Sequence, residues 1–228
     1  MWKKFRKAVR KVVGAVLKIA KVVREVAQRF AGILDYLGGL VGIRPRKHLR
    51  LQVYILKDEK GNLVAPSDKV KQWVNDAARV YLAKANVELH PERDQFVEYL
   101  PDSPPESALY LKECSFSEGF SDGVDWFEDH ARSPIFGYGG PVTVFVVGDI
   151  GGANGCSWWW MHTFCAIKAS ANHLDLAHEV GHVCGLWHVN GNKYLMDEDS
   201  IDGEELTNAQ IAFFRNARYV TYLNVQGV

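Results

Sequence analysis

Cysteine is scarce in this chain: four residues in 228, Cys114, Cys156, Cys165 and Cys184, with no CxxC pair among them. That spacing argues against a zinc ribbon or knuckle. It leaves the redox state open between four buried thiols, a hairpin disulfide from Cys156 to Cys165, and a bridge from Cys114 to Cys184. Long apolar runs are also missing. Nothing approaches the roughly 20 residues needed to span a bilayer. The longest early run, Val12 to Leu17, stops at Lys18 and is not a secretory h-region. The expectation is therefore no classical signal peptide and no transmembrane span, with non-classical export or delivery into target cells as routes and the location otherwise unknown. No internal repeat is visible.

Net charge is absent too, but only in the sum. Residues 1–50 hold 14 of the 27 Lys/Arg and two of the 27 Asp/Glu, a surplus of twelve positive charges, and the remainder carries an equal negative surplus. Such a split points to two parts with different tasks, residues 1–46 and 47–228. A hydrophobic content of 47% with 12% aromatics is that of a globular core.

The basic part reads as one amphipathic helix over 2–37. Phe5, Val9, Val12, Val16, Ile19, Val23, Val26, Phe30, Ile33 and Leu37 recur every three or four residues, and no acid precedes Glu25. Gly38-Gly39, Gly42 and Pro45 end it and form a hinge. Four readings stay open for residues 1–43. The helix can lie on an anionic membrane surface or be read by a delivery apparatus. It can also pack its valine stripe on its own domain or a partner, or dock on the acidic part and cover its cleft.

From residue 49 the pattern changes. Leu49 to Leu56 alternates like a strand. Ser67 is the expected N-cap of a helix to about Lys84 with Val70, Trp73, Val74, Ala77, Val80 and Tyr81 inward. Residues 86–100 suggest a second strand region, and 101–140 a mostly looped stretch with one short helix. Pro141 to Val147 is a buried strand, 151–155 a turn, and Ser157 to Ala169 a further strand. His173 to Cys184 is helical, and Thr207 caps a last helix to about Ala217.

The chemistry sits at His178-Glu179-Val180-Gly181-His182-Val183-Cys184-Gly185-Leu186-Trp187-His188. His178 and His182 are four apart, so on a helix both imidazoles face the same way. A catalytic zinc site uses three such ligands and leaves one position open. Glu179 stands beside the first ligand, where it can accept a proton from water and pass it to a leaving amine. Gly185 can adopt the left-handed conformation that ends a helix, which lets His188 return as third ligand.

This HExxHxxGxxH run with Met196 eight residues on resembles the metzincin clan of zinc endopeptidases. The resemblance implies zinc ligands at His178, His182 and His188, a general base at Glu179, a turn glycine at Gly185 and a Met-turn at Met196. It implies one zinc ion, a protein or peptide substrate, and an α+β fold. That fold has a twisted mixed sheet, an active-site helix and a small C-terminal helical subdomain, preceded here by the long N-terminal amphipathic helix. It also implies an edge strand before the helix that pairs with substrate, expected at Thr163, Phe164, Cys165 and Ala166. No tyrosine follows Met196 shortly, and Val189 and Asn190 follow His188, so no subfamily is assigned.

The alternative is a membrane-binding or membrane-active protein whose function is carried by the basic helix. As an effector or toxin, the chain would combine both parts. No nucleic-acid partner is expected. His48, His90, His130, His162 and His173 are expected as surface or hydrogen-bonded residues. Trp158-Trp159-Trp160 is divided between core and cleft lining. The acids from Asp197 to Glu205 read as a solvated loop, with Ca2+ as the other reading.

Overall fold

A computed structural model of the chain describes residues 37–38, 44–100, 102–115, 121–131, 139–158 and 162–222. The amphipathic-helix reading of 2–37 lies, apart from its last position, outside the described residues, as do Trp159 and Trp160. Among the described residues no helix is long and apolar enough to cross a membrane.

The first strand, β1 (Lys47–Ile55), starts two residues earlier than its alternation suggests and leads to helix α1 (Ser67–Ala85). Strands β2 (Val87–Pro91) and β3 (Val97–Glu98) follow, then a short helix α2 (Glu106–Leu109), β4 (Tyr110–Leu111) and helix α3 (Asp122–His130). Strands β5 (Val142–Val147), β6 (Asp149–Ile150), β7 (Gly155–Ser157) and β8 (Phe164–Lys168) precede helix α4 (Asp175–Val183). Helix α5 (Asn208–Arg215) and strand β9 (Val220–Thr221) close the order.

The main sheet is mixed, in the order β2-β1-β5-β8-β7, with β3 and β9 also pairing β1. The pairs β2/β1, β1/β5 and β5/β8 are parallel, whereas β7/β8 and β9/β1 are antiparallel. Parallel strands covered on both faces need a continuous apolar run, and every residue of β5 is buried. One face packs Leu49, Leu51, Val53 and Val144 against Val70, Trp73 and Ala77 of α1 and Val180 and Val183 of α4. The other packs Tyr54, Phe145 and Phe164 against Val124 and Phe127 of α3 and Trp158, which is core.

Several expectations change. Ser67 is the first helical residue rather than the cap; Pro66 holds the cap position and no side chain caps there. The looped stretch 101–140 contains two helices and a strand. The single strand expected over 157–169 is two antiparallel strands, β7 and β8. Ile211 and Phe214 of the C-terminal helix join the core of α1. Phe214 stacks on Tyr81 at 4.2 Å between ring centres. Buried Arg215 donates to the carbonyl oxygens of Ala85 and Pro45 at 2.6 and 2.8 Å. Thr207 does cap α5, in a reciprocal capping box with Gln210.

The disulfide is Cys114–Cys156, with Cα atoms 5.3 Å apart. The 156–165 and 114–184 pairings do not form. Cys156 faces the α3 side of the sheet, while Cys165 and Cys184 lie in the core on the α4 side. A sheet separates the thiols that chain proximity would have joined.

Candidate metal centre

Helix α4 carries the first half of the motif. Its end is set by Gly185 at φ +84°. Gly185 N–H donates to the His182 carbonyl at 2.7 Å and Leu186 N–H to the Gly181 carbonyl at 2.9 Å, the two bonds of a Schellman turn. The chain thus reverses in a few residues and returns His188 to the helix. The left-handed glycine expected at 185 is in place.

The three imidazoles converge. Nε2 of His182 is 3.0 Å from Nε2 of His178 and 2.9 Å from that of His188, and the remaining separation is 3.2 Å. Both helical histidines spend their other nitrogen on backbone. His178 Nδ1 donates to the Leu195 carbonyl at 2.7 Å, and His182 Nδ1 to the Leu186 carbonyl at 2.8 Å. These bonds put the ring proton on Nδ1 and leave a lone pair on each Nε2. Lone pairs crowded at this distance repel unless a cation lies among them. Nitrogens held about 2.0–2.1 Å from one tetrahedral ion are about 3.3 Å apart. His178, His182 and His188 therefore form a group able to hold a metal ion. His188 is the exposed member, and its Nδ1 stands 3.5 Å from Glu198 Oε1.

The floor comes from residues 189–197. Val189 N–H donates to the Met196 carbonyl at 3.0 Å and Leu195 N–H to the Glu205 carbonyl at 2.9 Å. Asp197 accepts from the amides of Gly191 and Asp199, so it serves the turn's own backbone. The same segment supplies the Leu195 carbonyl to His178 and buries Met196 completely. Met196 Sδ lies 2.8 Å from where a Cβ on Gly181 would be, so the sulfur packs directly on α4 beside His182.

Glu179 is 8% exposed and lies on the strand side of α4. Burial, with Asp175 adding a second negative charge, pushes its carboxyl up to about 8. Burial, followed by the neighbouring His178, pushes His182 down to about 3. His178 moves down for the same first reason, and burial raises Asp175. The metal-free site thus disfavours charge of either sign, as expected of a desolvated pocket.

A cleft of about 730 Å³ opens over these groups, lined by the three histidines, Glu179, Asp175, Lys168, the 151–155 loop and residues 197–200. Cys114 lies in its wall, so the disulfide ties that wall to β7. The strand expected to line the cleft is a further point where the topology differs from expectation. Phe164, Cys165 and Ala166 belong to β8, paired with β5 on one side and β7 on the other, and are 1% exposed or less; Thr163 precedes them and is 6% exposed. Their backbone is used up within the sheet. The edge strand beside α4 is β7, Gly155–Ser157, whose second edge has no strand partner among the described residues.

Gly155 is the residue the sequence reading missed. A Cβ there would lie 2.4, 2.6 and 2.7 Å from Glu179 Cγ, Oε1 and Cδ. The glycine-rich 151–155 run was the visible signal, but it reads equally well as a turn. Gly155→Ala is expected to displace the Glu179 carboxylate and lower any activity that depends on it by about 10–100-fold, with metal content unchanged. Equal rates for the two proteins, measured alongside metal analysis, would remove Gly155 from the site.

The sequence matches no protein-family model and no curated protein. Among solved structures, the fold is similar to metalloproteinase-II from Bacteroides fragilis, with a TM-score of 0.46 and 10% identity over 74% of this chain. The alignment spans 53% of that protein, about half its length. It is also similar to archaemetzincin from Methanopyrus kandleri, with a TM-score of 0.45 and 12% identity over 74% of this chain and 95% of that one.

Proposed function

We propose that residues 47–228 are a zinc-dependent endopeptidase of metzincin type. The observation that carries this reading is the convergence of three Nε2 lone pairs within 3.2 Å, beside a buried carboxylate in an open cleft. Three neutral imidazoles are a donor set that suits zinc. When bound, zinc supplies Lewis acidity next to a water molecule and a peptide carbonyl.

The chain's own groups do the rest. Leu195 and Leu186 hold two rings in the ligating tautomer. Met196 supports the helix from below. Glu179 Oε receives a proton from water and delivers it to the leaving amine, a role that its raised proton affinity suits. An extended peptide can add to the edge of β7 that has no strand partner among the described residues, where backbone pairing would carry its scissile bond past Glu179. The proposed substrate is accordingly a protein or peptide. The test is to map new protein N-termini produced by the wild type and by Glu179→Gln in the same proteome. Cleavage sites present with both proteins would sink the reading.

Residues 1–46 are proposed as a separate targeting or docking segment, supported by their surplus of ten positive charges, twelve Lys/Arg against two Asp/Glu. Deleting 1–43 is expected to abolish binding to anionic liposomes and leave peptide cleavage unchanged. Loss of a lytic or toxic effect from a Glu179→Gln protein on the same deletion would favour the membrane-active alternative.

A further inference from the structure

Five histidines lie outside the motif, and two of them do not stay apart. His48 on β1 and His90 on β2 meet at 2.8 Å between Nδ1 and Nε2. Glu88 Oε2 stands 3.9 Å from each of those nitrogens. Among the described residues, this cluster and the motif triad are the two groups that bring three ligand atoms within 4.8 Å.

We propose that His48, Glu88 and His90 form a second metal site, for a divalent transition ion such as zinc, that clips β1 to β2. The backbone presets the geometry. β1 and β2 pair in parallel, with His48 opposite Glu88 and Arg50 opposite His90. Strand alternation sends Leu49, Leu51, Val87 and Leu89 into the core, which turns His48, Glu88 and His90 to the other face together. No loop has to fold to assemble the ligands. The two imidazole side chains are 17% and 12% exposed and the carboxylate 40%, so the rings are fixed and the acid can adjust. Closing both nitrogens and one oxygen around an ion at about 2.0–2.2 Å requires shifts on the order of half an ångström. Two imidazoles and one carboxylate bind zinc with a position left for water.

A plain hydrogen bond between the two rings does not account for the carboxylate. It would leave Glu88 beyond hydrogen-bonding reach of both nitrogens, with Arg46 3.6 Å away as its cation. Arg46 is 56% exposed, so it can yield that place. The cluster sits on the β2 edge of the sheet, four strands from β7 and the cleft. At about 4.8 Å per strand that is roughly 19 Å, so the two sites can be emptied separately.

The experiment is zinc stoichiometry on the full chain, stripped with chelator, re-equilibrated with Zn2+ alone and desalted. Two ions per chain are expected for the wild type, one for His90→Gln and one for His182→Gln. Glu88→Gln serves as a milder variant should His90→Gln fold poorly. It should weaken the second ion at least tenfold and leave the first untouched. Anomalous scattering at the zinc edge should place the second ion between β1 and β2. A wild-type content of one ion that His182→Gln abolishes and His90→Gln retains would overturn the site. So would a second ion unaffected by both His90→Gln and Glu88→Gln. Neither readout depends on peptidase activity, so failure of the clip and failure of the enzymatic reading remain distinguishable.

Discussion

Glu179→Gln is expected to lower kcat by about 10²–10⁴-fold, the usual contribution of a positioned general base, while the zinc content at the histidine triad and KM change little. Glutamine has the same length and still fits against Gly155, where added volume would clash. It cannot accept a proton. The same substitution should have the opposite effect on stability. Glu179 is buried, and its carboxyl is pushed up to about 8 because desolvation penalises its charged form. The metal-free Glu179→Gln protein should therefore unfold at a higher temperature than metal-free wild type at pH 8. Lost rate with gained stability separates a missing proton acceptor from a damaged fold. A variant with zinc bound that cleaves peptides at the wild-type rate would end the proposed mechanism.

The second large effect is the pH dependence of stabilisation by zinc. In the metal-free protein the folded-state value of His182, about 3, lies below its ordinary 6.5. The unfolded chain then binds the extra proton, so stability is lost as pH falls from 6.5 towards 3. His178 acts in the same direction. Glu179 works the other way. Its folded value, about 8, exceeds 4.5, so the stability it contributes is present below 4.5 and lost as pH rises through 8. Between pH 6.5 and 8 the unfolded chain's histidines give up their remaining protons, which offsets part of the loss, and the glutamate term dominates. Metal-free protein should lose on the order of 1 kcal/mol across that range, or roughly 2–4 °C in Tm. A zinc ion beside Glu179 removes the cause by offsetting its charge, so the zinc-loaded Tm should stay nearly level. Calorimetry of both forms at pH 6.5 and 8 decides it. Parallel declines would mean that Glu179 does not feel the ion.

Both effects trace to a part of the chain that was readable early. Eleven consecutive residues hold the histidine spacing, the proposed proton acceptor and the turn glycine, because an α-helix converts a spacing of four into a shared face and glycine alone adopts φ +84° without strain. Local periodicity likewise marked β1, α1, β5 and α5. It failed where two strands of similar composition run together. Residues 157–169 read as one strand, yet 155–157 and 164–168 are antiparallel partners, and only pairing shows which of them is the edge.

The sequence alone determined the histidine triad able to hold a metal ion, its neighbouring carboxylate and the charge division of the chain, since each depends on residues close together in the sequence or on simple counting. Tertiary structure decided what depends on which side of the sheet a residue faces. It put Cys156 across the sheet from Cys165 and beside Cys114. It buried Phe164, Cys165 and Ala166 between two strands and left β7 as the rim of the cleft. It packed Gly155 against Glu179 and brought His48 to His90 across 42 residues. The physical reason is the same throughout. A strand's two faces alternate residue by residue, so register and strand order assign every contact, and neither is written in any local stretch of sequence.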